Sequence, residues 1–129
     1  MGGAAQRLPL LRVILSCRKI TAQVTNPITD SIIAMASTTE PEFIPQLKAK
    51  RNQVPRHHNY VDLRMASRVG EKLGVRLKEI GVENVEIDLK EELSRPIHQQ
   101  KMVNPIFRTV KEAGISVSGT DELIFGNVH

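Results

Sequence analysis

Apolar positions along the chain follow two different periods. Residues 10–15 (Leu-Leu-Arg-Val-Ile-Leu), 19–25 (Lys-Ile-Thr-Ala-Gln-Val-Thr) and 31–37 (Ser-Ile-Ile-Ala-Met-Ala-Ser) are short runs containing β-branched residues, separated by the turn formers Ser16, Asn26, Pro27 and Asp30. They predict three antiparallel strands. The stretch from Thr38 to Asn59 carries Pro41, Pro45 and Pro55 and no glycine. Its weak periodicity predicts an irregular connection with one helical turn, a kind of long loop that is usually functional or disordered. From Asp62 to Ile80 the period lengthens: Ala66, Val69, Leu73, Leu77 and Ile80 fall three or four apart and make one apolar helix face. Gly81 is placed to stop that helix, and Val85, Ile87 and Leu89 alternate as in a strand. The same order returns at the end of the chain. Asn104-Pro105 reads as a cap with proline at the first helical position, and Ile106, Phe107 and Val110 form the apolar face. Gly114 closes this second helix, and Ile115-Ser-Val117 starts a strand.

The predicted order is βββαβαβ, an α/β fold with a mixed β-sheet and two helices packed on it. Gly70 and Gly74 each lower the first helix's intrinsic stability by about 1 kcal/mol, so close packing against the sheet is expected to compensate. The domain is expected over residues 10–117, with a short N-terminal extension at 1–9 and a tail at 118–129.

The chain has 129 residues, one domain's worth. Tryptophan is absent, and the aromatics are Phe43, Tyr60, Phe107 and Phe125. The core must therefore be mostly aliphatic, and recognition of RNA by stacking bases on strand aromatics is disfavoured. Cys17 is the one cysteine, so no internal disulfide forms and a reducing compartment is expected. No apolar run approaches the roughly 18 residues of a membrane span.

Lysine plus arginine number 18 against 14 acids, a net +4. The excess is local: residues 1–60 carry eight basic and three acidic side chains, whereas the remainder carries ten against eleven. A polyanion would meet the N-terminal half. Residues 1–29 contain no acid, and Arg7 and Arg12 in an Ala/Leu context resemble a mitochondrial presequence. Cleavage there is not expected, because Leu10 to Leu15 reads as a strand.

Two basic constellations stand out. On the outer face of the first helix, Arg64, Arg68, Lys72 and Arg76 recur every four residues. Stacked cations repel one another, so the stripe is either a solvated face balanced by Glu71 and Glu79 or a track for a phosphate backbone. Between Glu42 and Asp62 no acid interrupts Lys48, Lys50, Arg51, Arg56, His57 and His58. Such an irregular basic segment either links two elements or orders around RNA phosphates. Enzyme templates do not fit. No Cys or His pair has zinc-ligand spacing, Cys17 lacks any nucleophile signature, and no glycine-rich phosphate loop is present. Glu91-Glu92 and Asp121-Glu122 read as loop carboxylates without an acid/base partner. No catalytic residue, metal or cofactor is expected.

Arg18-Lys-Ile-Thr-Ala-Gln-Val24, followed by Ile33-Ala-Met-Ala-Ser-Thr-Thr39, resembles the opening strands of large-subunit ribosomal protein eighteen, the bacterial-type protein that binds 5S ribosomal RNA. Val69-Gly-Glu-Lys-Leu, Lys78-Glu-Ile-Gly-Val82, Val85-Glu-Ile-Asp88 and Val110-Lys-Glu-Ala-Gly-Ile115 are similar to its later motifs, in order, so the resemblance spans residues 10–117. It implies a mixed-sheet fold, no catalysis, and a place beside 5S RNA and neighbouring large-subunit proteins. It also implies RNA contacts at Arg18 and Lys19. Departures are Leu15 where a basic residue is common, Thr21 where an aromatic is common, few residues before the first strand, and an acidic segment after Asp88. In that segment Arg95, His98 and Lys101 are the candidate RNA contacts.

A divergent organellar member is the expectation, in the mitochondrion first, with chloroplast or cytoplasm as alternatives. The competing readings are an organellar factor of the same fold acting on intron RNA in splicing, and a protein-interaction module.

Overall fold

A computed structural model describes residues 8–16, 19–51 and 63–120. Five strands form one sheet in the order β3-β2-β1-β4-β5. Strands β1 (Leu10–Leu15), β2 (Ile20–Thr25) and β3 (Ile32–Ser37) are antiparallel neighbours, while β4 (Asn84–Ile87) runs parallel to β1 and β5 (Ser116–Ser118) parallel to β4. This is the mixed-sheet α/β fold that the alternating pattern predicts.

Local chemistry explains the turns. Ser16 N–H donates to the Lys19 carbonyl at 2.9 Å and closes the β1–β2 hairpin. Between β2 and β3, the Asn26 side-chain oxygen accepts from the N–H groups of Ile28 and Thr29, at 2.8 and 3.3 Å. Asp30 takes the left-handed conformation at φ 63°, which aspartate tolerates better than most residues.

Cross-strand register puts Leu11 opposite Val24 and Ile87, Val13 opposite Ala22, and Ala22 opposite Ala36, so all of them share one face. The two long helices, α2 (Leu63–Glu79) and α4 (Ile97–Glu112), pack there. Met65, Ala66, Val69, Leu73 and Leu77 from α2 meet Val103, Ile106, Phe107 and Val110 from α4 in one buried cluster with the sheet. Ile80, expected on the apolar face, lies past the helix end and is half-exposed. The opposite sheet face carries Arg12, Ile14, Thr21, Gln23, Met35 and Glu86.

Both helices end in the same way. Gly81 N–H donates to Lys78 O and Val82 N–H to Leu77 O; Gly114 N–H donates to Lys111 O and Ile115 N–H to Val110 O. With Gly81 at φ 88° and Gly114 at φ 103°, these are two copies of one C-terminal motif. In each, the residue after glycine leads back toward the sheet.

Several expectations are corrected. The element order is longer than βββαβαβ: a 3-10 turn at Pro41–Phe43 and helix α1 (Ile44–Arg51) occupy part of the expected irregular connection, and α3 (Leu89–Leu93) follows β4. Proline at the start of a helical turn costs no hydrogen bond, so Pro41 and Pro45 are compatible with these elements. Phe43 anchors the 3-10 turn in the core. Glu91 and Glu92 belong to α3, capped by Asp88, whose carboxylate accepts from Glu91 N–H at 3.1 Å. Helix α4 starts at Ile97, so Pro105 is inside it and Asn104 does not cap it. Burial of Val103 with Ile106 and Phe107 outweighs the hydrogen bond that proline forfeits. Gly70 and Gly74 face α4, not the sheet: a Cβ on Gly70 would meet Thr109 and Ile106, and one on Gly74 would meet Ala113. The expected tail begins late, because Ser118 ends β5 and Thr120 is buried; 121–129 lie outside the described residues. No described helix is long and apolar enough to cross a membrane.

Candidate nucleic-acid interface

The topology sorts the connections into two ends of the sheet. The β1–β2 turn and the residues after β3 share one end, because Thr21 pairs with Ser37. Helices α2 and α4 run parallel to each other, since Gly70 abuts Ile106 to Thr109 and Gly74 abuts Val110 to Ala113. Helix α2 leads through Gly81 into the start of β4, so its N-terminus lies where β4 finishes. One end therefore gathers Lys19, the N-terminus of α2 with Arg64, α3 with Lys90, and the N-terminal half of α4 with His98 and Lys101, and α1 with Lys48 follows the 3-10 turn that leaves β3 at this end. The far end gathers Asp30, the α2–β4 connection with Glu79 and Glu83, and the C-terminus of α4.

The helix stripe is not an open track. Arg68 Nε lies 2.8 Å from Glu42 Oε2 and its Nη1 lies 2.6 Å from Glu71. Lys72 Nζ bridges Glu42 at 2.6 Å and Glu40 at 3.1 Å. Arg76 makes a fork with Glu40, both contacts at 2.8 Å, and its Nη1 also donates to the Met35 carbonyl at 2.8 Å. Glu40 in turn accepts from Ser37 N–H at 3.0 Å. The hydrogen bond from Arg76, with those from Ser37 and Lys72, pulls the Glu40 pKa down to about 2; hydrogen bonds from Arg68 and Lys72 do the same to Glu42. Three cations thus face three carboxylates. The stripe that reads as four cations in sequence keeps one uncompensated charge, Arg64, which makes no ion pair with a described residue and is exposed.

Arg95, expected to touch RNA, is turned inward. Its Nε sits 2.7 Å from Glu92 Oε1, its Nη1 donates to Gln99 at 3.3 Å, and its Nη2 donates to the Val13 carbonyl. With side-chain exposures of 11% and 3%, Arg95 and Glu92 are a structural pair. The Val13 carbonyl needs this donor because β4 pairs with only Leu10 and Leu11 of β1. Nearby, Arg12 forks onto Glu91, at 3.2 and 2.7 Å, which raises the arginine's pKa.

What remains is a charge polarity. At the β1–β2 turn end, Glu40, Glu42, Glu71, Glu91 and Glu92 are all in ion pairs, leaving, among the described residues, Asp88 against exposed Lys19, Lys48, Arg64, Lys90 and Lys101. At the far end Asp30, Glu79 and Glu83 face Lys78 and Lys111, while Arg108 reaches Glu112 at 3.8 Å. Lys50 and Arg51 fall in the last turn of α1. Their side chains, and Arg18, Arg56, Cys17, His57 and His58 as a whole, lie outside the described residues. Beside Arg64, an open depression of about 350 Å³ is lined by Leu63, Arg64, Ser67, Arg68, Glu71 and Thr109. Among the described residues no group of three or more His, Cys, Asp or Glu side chains is placed to hold a metal ion.

Sequence reasoning missed Glu40 and Glu42, which sit 26 to 36 residues from their partners. The one available sign was two carboxylates flanking Pro41 at the head of an acid-free stretch. Comparison with known proteins adds no family: no family model matches the chain, and no curated protein is matched by its sequence.

Proposed function

We propose that this chain is a non-catalytic RNA-binding protein that takes RNA phosphates against the end of the sheet where Lys19, Lys48, Arg64 and Lys101 project. The observation that carries the reading is the charge polarity: among the described residues, the acids at that end other than Asp88 are held in internal ion pairs, and the cations left over are exposed. Phosphate neutralisation by such groups releases counterions and supplies sequence-independent affinity. The described aromatics, Phe43 and Phe107, are buried, so base stacking on them plays no part. The resemblance to ribosomal protein eighteen makes 5S ribosomal RNA, in an organellar large subunit with its neighbouring proteins, the first RNA to test.

Replacing Lys19, Lys48, Arg64 and Lys101 by glutamine should weaken RNA binding and flatten its salt dependence by about 0.7–0.9 in log–log slope for each phosphate no longer neutralised. Replacing Lys78 and Lys111 at the far end is the control. Equal effects from the two sets would refute the assignment of the end. Sedimentation of an organellar lysate then identifies the RNA: the protein should travel with 5S RNA and the large subunit. Travel in lighter fractions with intron RNA would replace the ribosomal assignment by a splicing one.

A further inference from the structure

Glu42 stands between the open end of the α2 stripe and its closed part. It touches both Arg68 and Lys72, at 2.8 and 2.6 Å, as one phosphate oxygen pair would. It is also more exposed than Glu40, 37% against 23%, and Glu40 is further tied to the backbone through Ser37 N–H. Arg64, one helical turn beyond Arg68, is already open, and both arginines line the same depression.

Resting on the RNA-binding reading above, we propose that Arg68 and Lys72 form a second phosphate-binding site continuous with Arg64, and that Glu42 is its resident intramolecular competitor. The donors suit the exchange. Guanidinium and ammonium groups bind carboxylate and phosphate through the same charge-assisted hydrogen bonds. An exposed ion pair contributes little to stability, so a polyanion displaces Glu42 without unfolding its neighbours. Glu40 and Arg76 stay in place because they also hold the backbone of β3. Glu42 thereby sets how much of the helix an RNA can use: only Arg64 when the carboxylate is seated, and one further net positive charge, shared by Arg68 and Lys72 beside their remaining partners Glu71 and Glu40, when it is not.

The test uses the full chain, a short fluorescent RNA hairpin and anisotropy across a salt series. Glu42→Gln removes the competitor, and Glu83→Gln removes the same charge at the far end. Opening one phosphate site should steepen the slope by about 0.7–0.9 and tighten binding about five- to eightfold near 0.1 M salt, while Glu83→Gln changes neither. Arg68→Gln with Lys72→Gln should cost little in the wild-type background and abolish the gain in the Glu42→Gln background. Circular dichroism confirms that each variant is folded. If the wild type binds and Glu42→Gln behaves like Glu83→Gln, the competitor role is wrong and the RNA-binding reading stands. Should the wild type fail to bind while Glu42→Gln binds, the competitor role stands and the RNA-binding reading falls. If neither binds the hairpin at low salt, both are overturned.

Discussion

Gly70→Ala should destabilise the protein, although alanine is the better helix former. An added Cβ would lie 2.0 Å from Thr109 Oγ1, 2.5 Å from the Ile106 carbonyl oxygen and 2.9 Å from Ile106 Cα. The hydroxyl cannot simply swing away without giving up its bonds to Pro105 O and Ile106 O, at 2.9 and 3.1 Å, and the other two atoms are backbone. Relief requires α4 to move by about 1 Å, taking Val103, Ile106, Phe107 and Val110 out of register with the core. Overpacking of this kind costs about 1–3 kcal/mol, and backbone overlap puts this site at the upper end; the helix-propensity gain offsets about 1 kcal/mol. The net loss is about 2 kcal/mol, a fall of about 6–10 °C in melting temperature, read by circular dichroism and checked by urea unfolding. Adding Thr109→Ala should recover part of it, since the nearest of the three atoms is then absent. Gly74→Ala should cost less, because its one severe overlap is with the Ala113 methyl and the next atoms are 3.5 Å away. A Gly70→Ala protein as stable as the wild type, or more so, would refute the close approach of the two helices.

Acid should act through Glu40. Its folded pKa, about 2, lies below the ordinary 4.5, so its pairing with Arg76 contributes fully above pH 4.5 and is lost as pH falls toward 2. Discounted for partial exposure, the loss is about 1–2 kcal/mol, and Glu40→Gln should flatten the stability profile between those values in urea melts at stepped pH. Arg95→Met should cost about 3 kcal/mol by leaving Glu92 buried without its partner, with Val13 C=O unfilled as well; adding Glu92→Gln should restore part of the shift in urea midpoint. By contrast, Arg64→Gln should leave that midpoint within about 0.5 kcal/mol of wild type while weakening RNA binding.

The parts of the fold legible in the sequence are those governed by local chemistry. β1 begins and ends where the Leu10–Leu15 run does, and Gly81 and Gly114 stop their helices as the repeated Glu-x-Gly-apolar pattern predicts, because a left-handed residue followed by a buried one is a short-range requirement. Pro105 misleads because proline's ordinary place is a helix start, whereas here core burial of the preceding turn decides. The charged stripe is visible in the sequence, yet its neutralisation is not. Arg68, Lys72 and Arg76 look uncompensated along their own helix, and only the return of the chain after β3 places Glu40 and Glu42 beside them. Arg12 and Glu91, 79 residues apart, carry no mutual signal for the same reason. Cations on one helix can be counted from sequence; whether they are free depends on the meeting of distant segments.

The fork between Arg76 and Glu40 has a second consequence, for how copies of this protein behave toward one another. β3 is the outermost strand, and its row of backbone groups facing away from β2 is a template on which a strand of another molecule could extend the sheet. At Met35 and Ser37 that template is already filled: Arg76 takes the Met35 carbonyl, Glu40's carboxylate takes the Ser37 N–H, and Glu40's own N–H takes the Ser37 carbonyl. The ion pair stands where a sixth strand would begin, beside the exposed apolar side chains of Ile32 and Met35. Protonating Glu40 therefore weakens the hold on Arg76 over the Met35 carbonyl as well as loosening a helix contact, so the residue that latches the helix also helps to guard the sheet edge.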